Sequence, residues 1–181
     1  MVMKLNNIKK DELNIPRLIV IILLFCIGAV IGSYIGAGVN GQEDWWWEYI
    51  NLSPQQFFRR DAVINLALAV VIFIGGFIPL GFLTSAAGIM IKGFISAVPI
   101  TAFVRLYGVS GYFSAAKTGM ISNFISVIAL CLLSMQAIEN SSMRRRKIKD
   151  KALETDKVYI LCFCICSAAL VFGAAIDGFL L

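Results

Sequence analysis

The residues able to do chemistry in this chain are few, and their spacing suits none of the common reactions. There is no histidine among the 181 residues, which removes Ser–His and Cys–His nucleophile pairs and every imidazole metal ligand. The five cysteines, Cys26, Cys131, Cys162, Cys164 and Cys166, all fall inside apolar runs. Metal sites favour pairs spaced C-x2-C. Cys162, Cys164 and Cys166 stand two apart and on a helix point in different directions. They read as small apolar side chains without a disulfide framework. No two carboxylates stand together inside an apolar run for acid–base work, and no G-x-x-x-x-G-K-[ST] phosphate loop occurs. Gly32-Ser33-Tyr34-Ile35-Gly36 is a membrane glycine run, since no strand precedes it. The expectation is no catalytic residues, no cofactor and no metal, and hence no enzyme.

The remaining ionisable candidates are Lys92, Lys117 and Asp177, because a charge within a membrane span is functional by default. Lys92 and Lys117 are expected a turn or two from span ends, where long side chains reach the headgroups. Asp177 is expected near the outer face, paired with Lys117 or Arg105.

The elements that carry these residues follow from composition. Hydrophobic residues make up 59% of the chain and charged residues only 15%, against about 25% charged in soluble domains. Mean hydropathy is +0.83. Residues 1–17 form a polar cytoplasmic tail. The uncharged run from Leu18 to Val39 is about 22 residues, or ~33 Å of helix, enough to cross a ~30 Å hydrocarbon core. It is too long for a signal peptide and no cleavage site follows. An external loop at 40–61 carries Trp45, Trp46 and Trp47, an interfacial aromatic belt. The stretch 62–104 holds one charge, Lys92, and is long enough for two spans. Its break is expected near Gly81–Gly88, just after Pro79. The predicted spans are 18–39, 62–80, 86–105, 112–138 and 158–179, with Pro99 kinking the third. A basic cytoplasmic loop occupies 139–157.

Orientation follows from the cations. Of sixteen Lys and Arg residues, four lie in the tail and seven in 139–157. Positive segments stay cytoplasmic, so an even number of crossings must separate them. Four crossings satisfy this and three do not. The result is an all-α, polytopic bundle of about five transmembrane helices in the plasma membrane, with a cytoplasmic N-terminus and an external C-terminus. The net charge of +5 then serves topology and contact with anionic membrane lipids, not nucleic acid. Asn51-Leu52-Ser53 and Asn140-Ser141-Ser142 match the glycosylation pattern but fall on opposite sides. In the first span Gly28, Gly32 and Gly36 line one face. Such a stripe packs either against the protein's own spans or in a homo- or hetero-oligomer. Asn65, Asn123, Gln136 and several Ser and Thr are placed to cross-link the bundle.

The stretch from about 62 to 138 resembles the stage II sporulation protein M family. The features are Ile74-Gly75-Gly76-Phe77-Ile78-Pro79-Leu80-Gly81, then Ile91-Lys92-Gly93-Phe94, then a turn with Gly108 and Gly111 leading into a fourth span. The five-span layout and Asp177 in the last span also look like that family. The fourth span departs from it: Ile121-Ser122-Asn123 keeps only the Asn of the usual Pro-Gln-Asn step, and the first external loop is shorter. The resemblance implies a non-catalytic membrane scaffold that holds peptidoglycan hydrolases, the stage II sporulation proteins D and P, during forespore engulfment. The competing expectation is a permease or transporter subunit, with Lys92, Pro99 and the polar face of the fourth span lining a path.

Overall fold

The structure, a computed structural model, describes residues 14–38, 54–110, 120–145 and 149–180. These form five helices: α1 (Asn14–Gly38), α2 (Pro54–Gly76), α3 (Gly81–Tyr107), α4 (Met120–Arg145) and α5 (Lys149–Leu180). Four are long and apolar enough to cross a membrane, over Ile15–Gly38, Gly81–Tyr107, Ser122–Arg144 and Asp156–Ile176. The helix α2 is the exception, because Arg59, Arg60 and Asp61 sit inside it.

The distribution of side chains is inverted relative to a soluble protein. Val30, Phe124 and Phe172 are 70%, 69% and 65% exposed, while Lys92 is 3% exposed and Asn65 and Asn140 are fully buried. Apolar groups face outward and polar groups face one another, as lipid surroundings favour.

Several boundaries differ from expectation. The helix α2 begins at Pro54, so the last eight residues of the expected loop 40–61 are helical. Proline suits the first turn of a helix, where its missing N–H would be unpaired anyway. The break between α2 and α3 falls at Phe77–Leu80 rather than at Gly81–Gly88, with turn bonds from Phe77 N–H to the Ile74 carbonyl (3.1 Å) and from Gly81 N–H to the Ile78 carbonyl (3.1 Å). Pro79 sets this position, since it has no N–H to give the carbonyl four residues back. Within the expected basic loop 139–157, residues 139–145 and 149–157 are helical: α4 runs on to Arg145 and α5 starts at Lys149. Charge ends an apolar run but not a helix, because Lys, Arg and Glu are good helix formers. The helix α3 continues through Pro99. The start of the fourth span, the Trp45–Trp47 belt, and the Asp177–Lys117 pairing lie outside the described side chains.

Contacts fix the helix directions. A Cβ built on Gly28 would strike the Met90 carbonyl, on Gly32 the Phe94 carbonyl, and on Gly36 the Val98 carbonyl. Both numbers rise together, so α1 and α3 are parallel. Asn65 meets Lys92 and Gly75 meets Thr84, so α2 runs antiparallel to α3. Ser96 meets Asn123 and Gly81 meets Ser141, so α4 is antiparallel to α3 as well. Gly173 lies against Ser122 and Ile125 while Arg144 meets Asp156, which sets α5 antiparallel to α4. Successive helices therefore alternate in direction. The glycine stripe of α1 is occupied by α3 of the same chain, so that face is closed to a second molecule.

Candidate functional site: a buried lysine among polar side chains

Three helices bring polar groups together in the half of the bundle where α2 and α4 begin. On α2, Asp61 and Asn65 are one turn apart and share a face. On α3, Lys92 and Ser96 have the same spacing. On α4, Ser122, Asn123 and Ser126 start the helix. The Lys92 ammonium donates to Asn65 Oδ1 at 2.8 Å. Ser96 Oγ lies 2.8 Å from the Lys92 carbonyl and 2.7 Å from Asn123 Oδ1. Ser122 donates to the Asp61 carboxylate at 2.5 Å, and Ser126 to the Asn123 carbonyl at 2.9 Å.

Lys92 does not reach the headgroups as expected from its sequence position. It stands three turns inside α3, 3% exposed, because α3 begins at Gly81 and its buried face repeats through Gly81, Ser85, Gly88, Lys92. The Asp61 carboxylate acts electrostatically on Lys92 and supplies the opposite charge that an ammonium in an apolar bundle needs. Sequence reasoning singled out Lys92 and Asn65 separately and left Asp61 in a loop. The signal that joins them is the four-residue step from Asp61 to Asn65 once α2 is extended back to Pro54.

A second constellation closes the opposite end. Gly76 leaves room for the Tyr159 ring, whose hydroxyl donates to the Ile72 and Phe73 carbonyls, each at 3.0 Å. Phe73 stacks on Tyr159 and Phe163 with centroids 5.1 and 4.2 Å apart. Arg144 donates through one nitrogen, Nη2, to both carboxylate oxygens of Asp156 at 2.7 and 2.8 Å, and its guanidinium lies 5.0 Å over the Phe77 ring. The turn Phe77–Leu80 is thus clamped by α4 and α5, with Gly81 N–H donating to Ser141 Oγ at 3.1 Å.

Neither constellation contains an activated nucleophile. The cysteines are free thiols, and Cys162 and Cys166 approach to 3.9 Å as ordinary neighbours one turn apart. Among the described residues no group of three metal-binding side chains occurs. What the arrangement does chemically is hold a charge and its hydrogen bonds between three helices. No family model matches the chain, and no curated protein or solved structure matches it either.

Proposed function

We propose that this chain is a non-catalytic scaffold that crosses the plasma membrane five times, resembling the stage II sporulation M family, and that it holds peptidoglycan hydrolases of the D and P type at the membrane during engulfment. The observation that carries the reading is the part played by the residues of the resemblance. Ile74–Gly81 forms one clamped hairpin end: Gly75 admits Thr84, Gly76 admits Tyr159, and Gly81 bonds Ser141. The motif therefore acts in architecture, as a scaffold requires.

Five crossings are supported by the direction of α1 and α3. Two parallel, adjacent helices can enter the membrane from one side only if the chain returns between them, and α2 is that return. Its apolar stretch Ala62–Gly76 is ~22 Å long, short for a ~30 Å core. Local thinning and the reach of Arg59 and Arg60 absorb such a mismatch. The cytoplasmic side is then the end bearing Arg144 and the α2–α3 turn.

Affinity purification from sporulating cells tests the reading. Recovery of wall hydrolases is expected. Recovery of an ATPase instead would favour the second reading, a permease subunit, whose supporting observation is the buried Lys92 cluster.

A further inference from the structure

Buried polar groups continue on α2, α3 and α4 beyond Lys92. Ser85 on α3 is 1% exposed, and Ser134 and Asn140 on α4 are fully buried. The Ser85 and Ser134 hydroxyls, both amide atoms of Asn140, and Nδ2 of Asn65 have no hydrogen-bond partner among the described residues. The bonds Gly81–Ser141 and Ser96–Asn123 set the antiparallel register. In that register Asn140 is level with Gly81, and Ser134 lies within a turn of Ser85. Ser126 comes level with Ser96 and Lys92 sits between. From Gly81 to Ser96 the helix rises ~22 Å, most of a ~30 Å hydrocarbon core.

Buried groups of this kind take water, which makes about three bonds to otherwise unpaired polar atoms. The groups are a mixture of donors and acceptors without net preference. An inorganic cation would meet the Lys92 ammonium, and an anion entering from the Asp61 end would meet a carboxylate. Water, neutral and both donor and acceptor, fits the whole line. We propose that the seam between α2, α3 and α4 binds a file of water reaching inward from both membrane faces, with Ser85, Ser134 and Asn140 in the cytoplasmic half and Asn65, Lys92 and Ser126 in the outer half. The assignment of halves rests on the five-crossing reading.

The test uses the full chain with Cys26, Cys131, Cys162, Cys164 and Cys166 replaced by alanine. Single cysteines are introduced as Ser85→Cys, Ser134→Cys and Ser126→Cys, near-isosteric changes that leave the packing intact. Leu132→Cys, on the apolar outer face of α4 and 52% exposed, is the lipid-facing control. Proteoliposomes of defined orientation are exposed to Ag⁺, a water-sized thiol reagent, from one side, and surviving thiols are counted after denaturation. The seam positions are expected to react at least about tenfold faster than Leu132→Cys, because the reactive thiolate does not form in hydrocarbon. Ser85→Cys and Ser134→Cys should react from the cytoplasmic side and Ser126→Cys from outside. Seam thiols no faster than the control would overturn the water file. Fast reaction with the two sides exchanged would support the file and overturn the orientation instead.

Discussion

A lysine buried in an apolar bundle is held by its partners, and the order in which those partners matter can be worked out. Replacing Asn65 by Leu removes the acceptor 2.8 Å from the Lys92 ammonium and leaves a buried ammonium short of a hydrogen bond, a loss of about 3 kcal/mol. Replacing Lys92 by Met removes the charge together with its need, leaves the Asn65 amide oxygen unpaired, and leaves Asp61 with its Ser122 bond but without its opposite charge, a loss of about 1–3 kcal/mol. Asn65→Leu is therefore expected to lower the melting temperature in detergent more than Lys92→Met. The double variant should be more stable than Asn65→Leu alone. Thermal unfolding followed by size-exclusion chromatography checks the order, and equal losses in the two single variants would mean that Lys92 carries no charge that Asn65 must hold. Tyr159 gives a second residue-scale outcome. Its hydroxyl closes two backbone carbonyls beside the α2–α3 turn, so Tyr159→Phe is expected to destabilise by about 1–3 kcal/mol. Proteolysis at Phe77–Leu80 should speed up in that variant, because the turn is held from α5 through this contact.

At the scale of the helix, the glycines of α1 separate into those that contact α3 and one that does not. A methyl on Gly32 would meet backbone atoms of Phe94, which cannot step aside, whereas Gly38 faces open space. Gly32→Ala is expected to lose about 1–3 kcal/mol through forced separation of the two helices. Gly38→Ala is expected to gain about 0.4–1 kcal/mol by restricting the unfolded chain. Chemical unfolding in mixed micelles distinguishes the two, and a neutral Gly32→Ala would place α1 away from α3. These helices show what the amino-acid order makes legible. Long uncharged runs specify α1, α3, α4 and most of α5 with little ambiguity, since nothing else buries so many apolar residues. The start of α2 was hidden because Arg59, Arg60 and Asp61 look like loop chemistry, although Pro54 is a helix-start signal. The depth of Lys92 was hidden for the same reason at the other end of the hairpin. Moving the break from Gly81–Gly88 to Phe77–Leu80 carries the lysine deeper into α3 and turns a headgroup-seeking side chain into a buried one. The pairing of Gly28, Gly32 and Gly36 with α3 could not be read at all, because a small-residue stripe names no partner.

For the molecule as a whole, the decisive quantity is the parity of crossings, and α2 controls it. If α2 lay on the membrane surface, α1 and α3 would be consecutive crossings and would have to run in opposite directions. They run in the same direction, with Gly28, Gly32 and Gly36 stepping along Met90, Phe94 and Val98. The charge pattern independently supports the same proposed parity, since the bias of Lys and Arg toward the cytoplasm favours one side for the seven cations of 139–157 and the four of the N-terminal tail. The two arguments share no premise: one is packing geometry and the other is the bias of Lys and Arg toward the cytoplasm. Their agreement yields a sharp expectation for cysteine accessibility in intact cells, on a background without native cysteines. Ser110→Cys, at the exposed end that follows α3, should react with an impermeant maleimide. Lys147→Cys, in the basic segment, should react only after the cells are made permeable. With the N-terminal tail cytoplasmic, reaction of Lys147→Cys but not of Ser110→Cys in intact cells would put the basic segment outside and leave three crossings ahead of it. In that case α2 would be a surface helix, and the parallel contact of α1 with α3 would have to be abandoned along with the scaffold built on it.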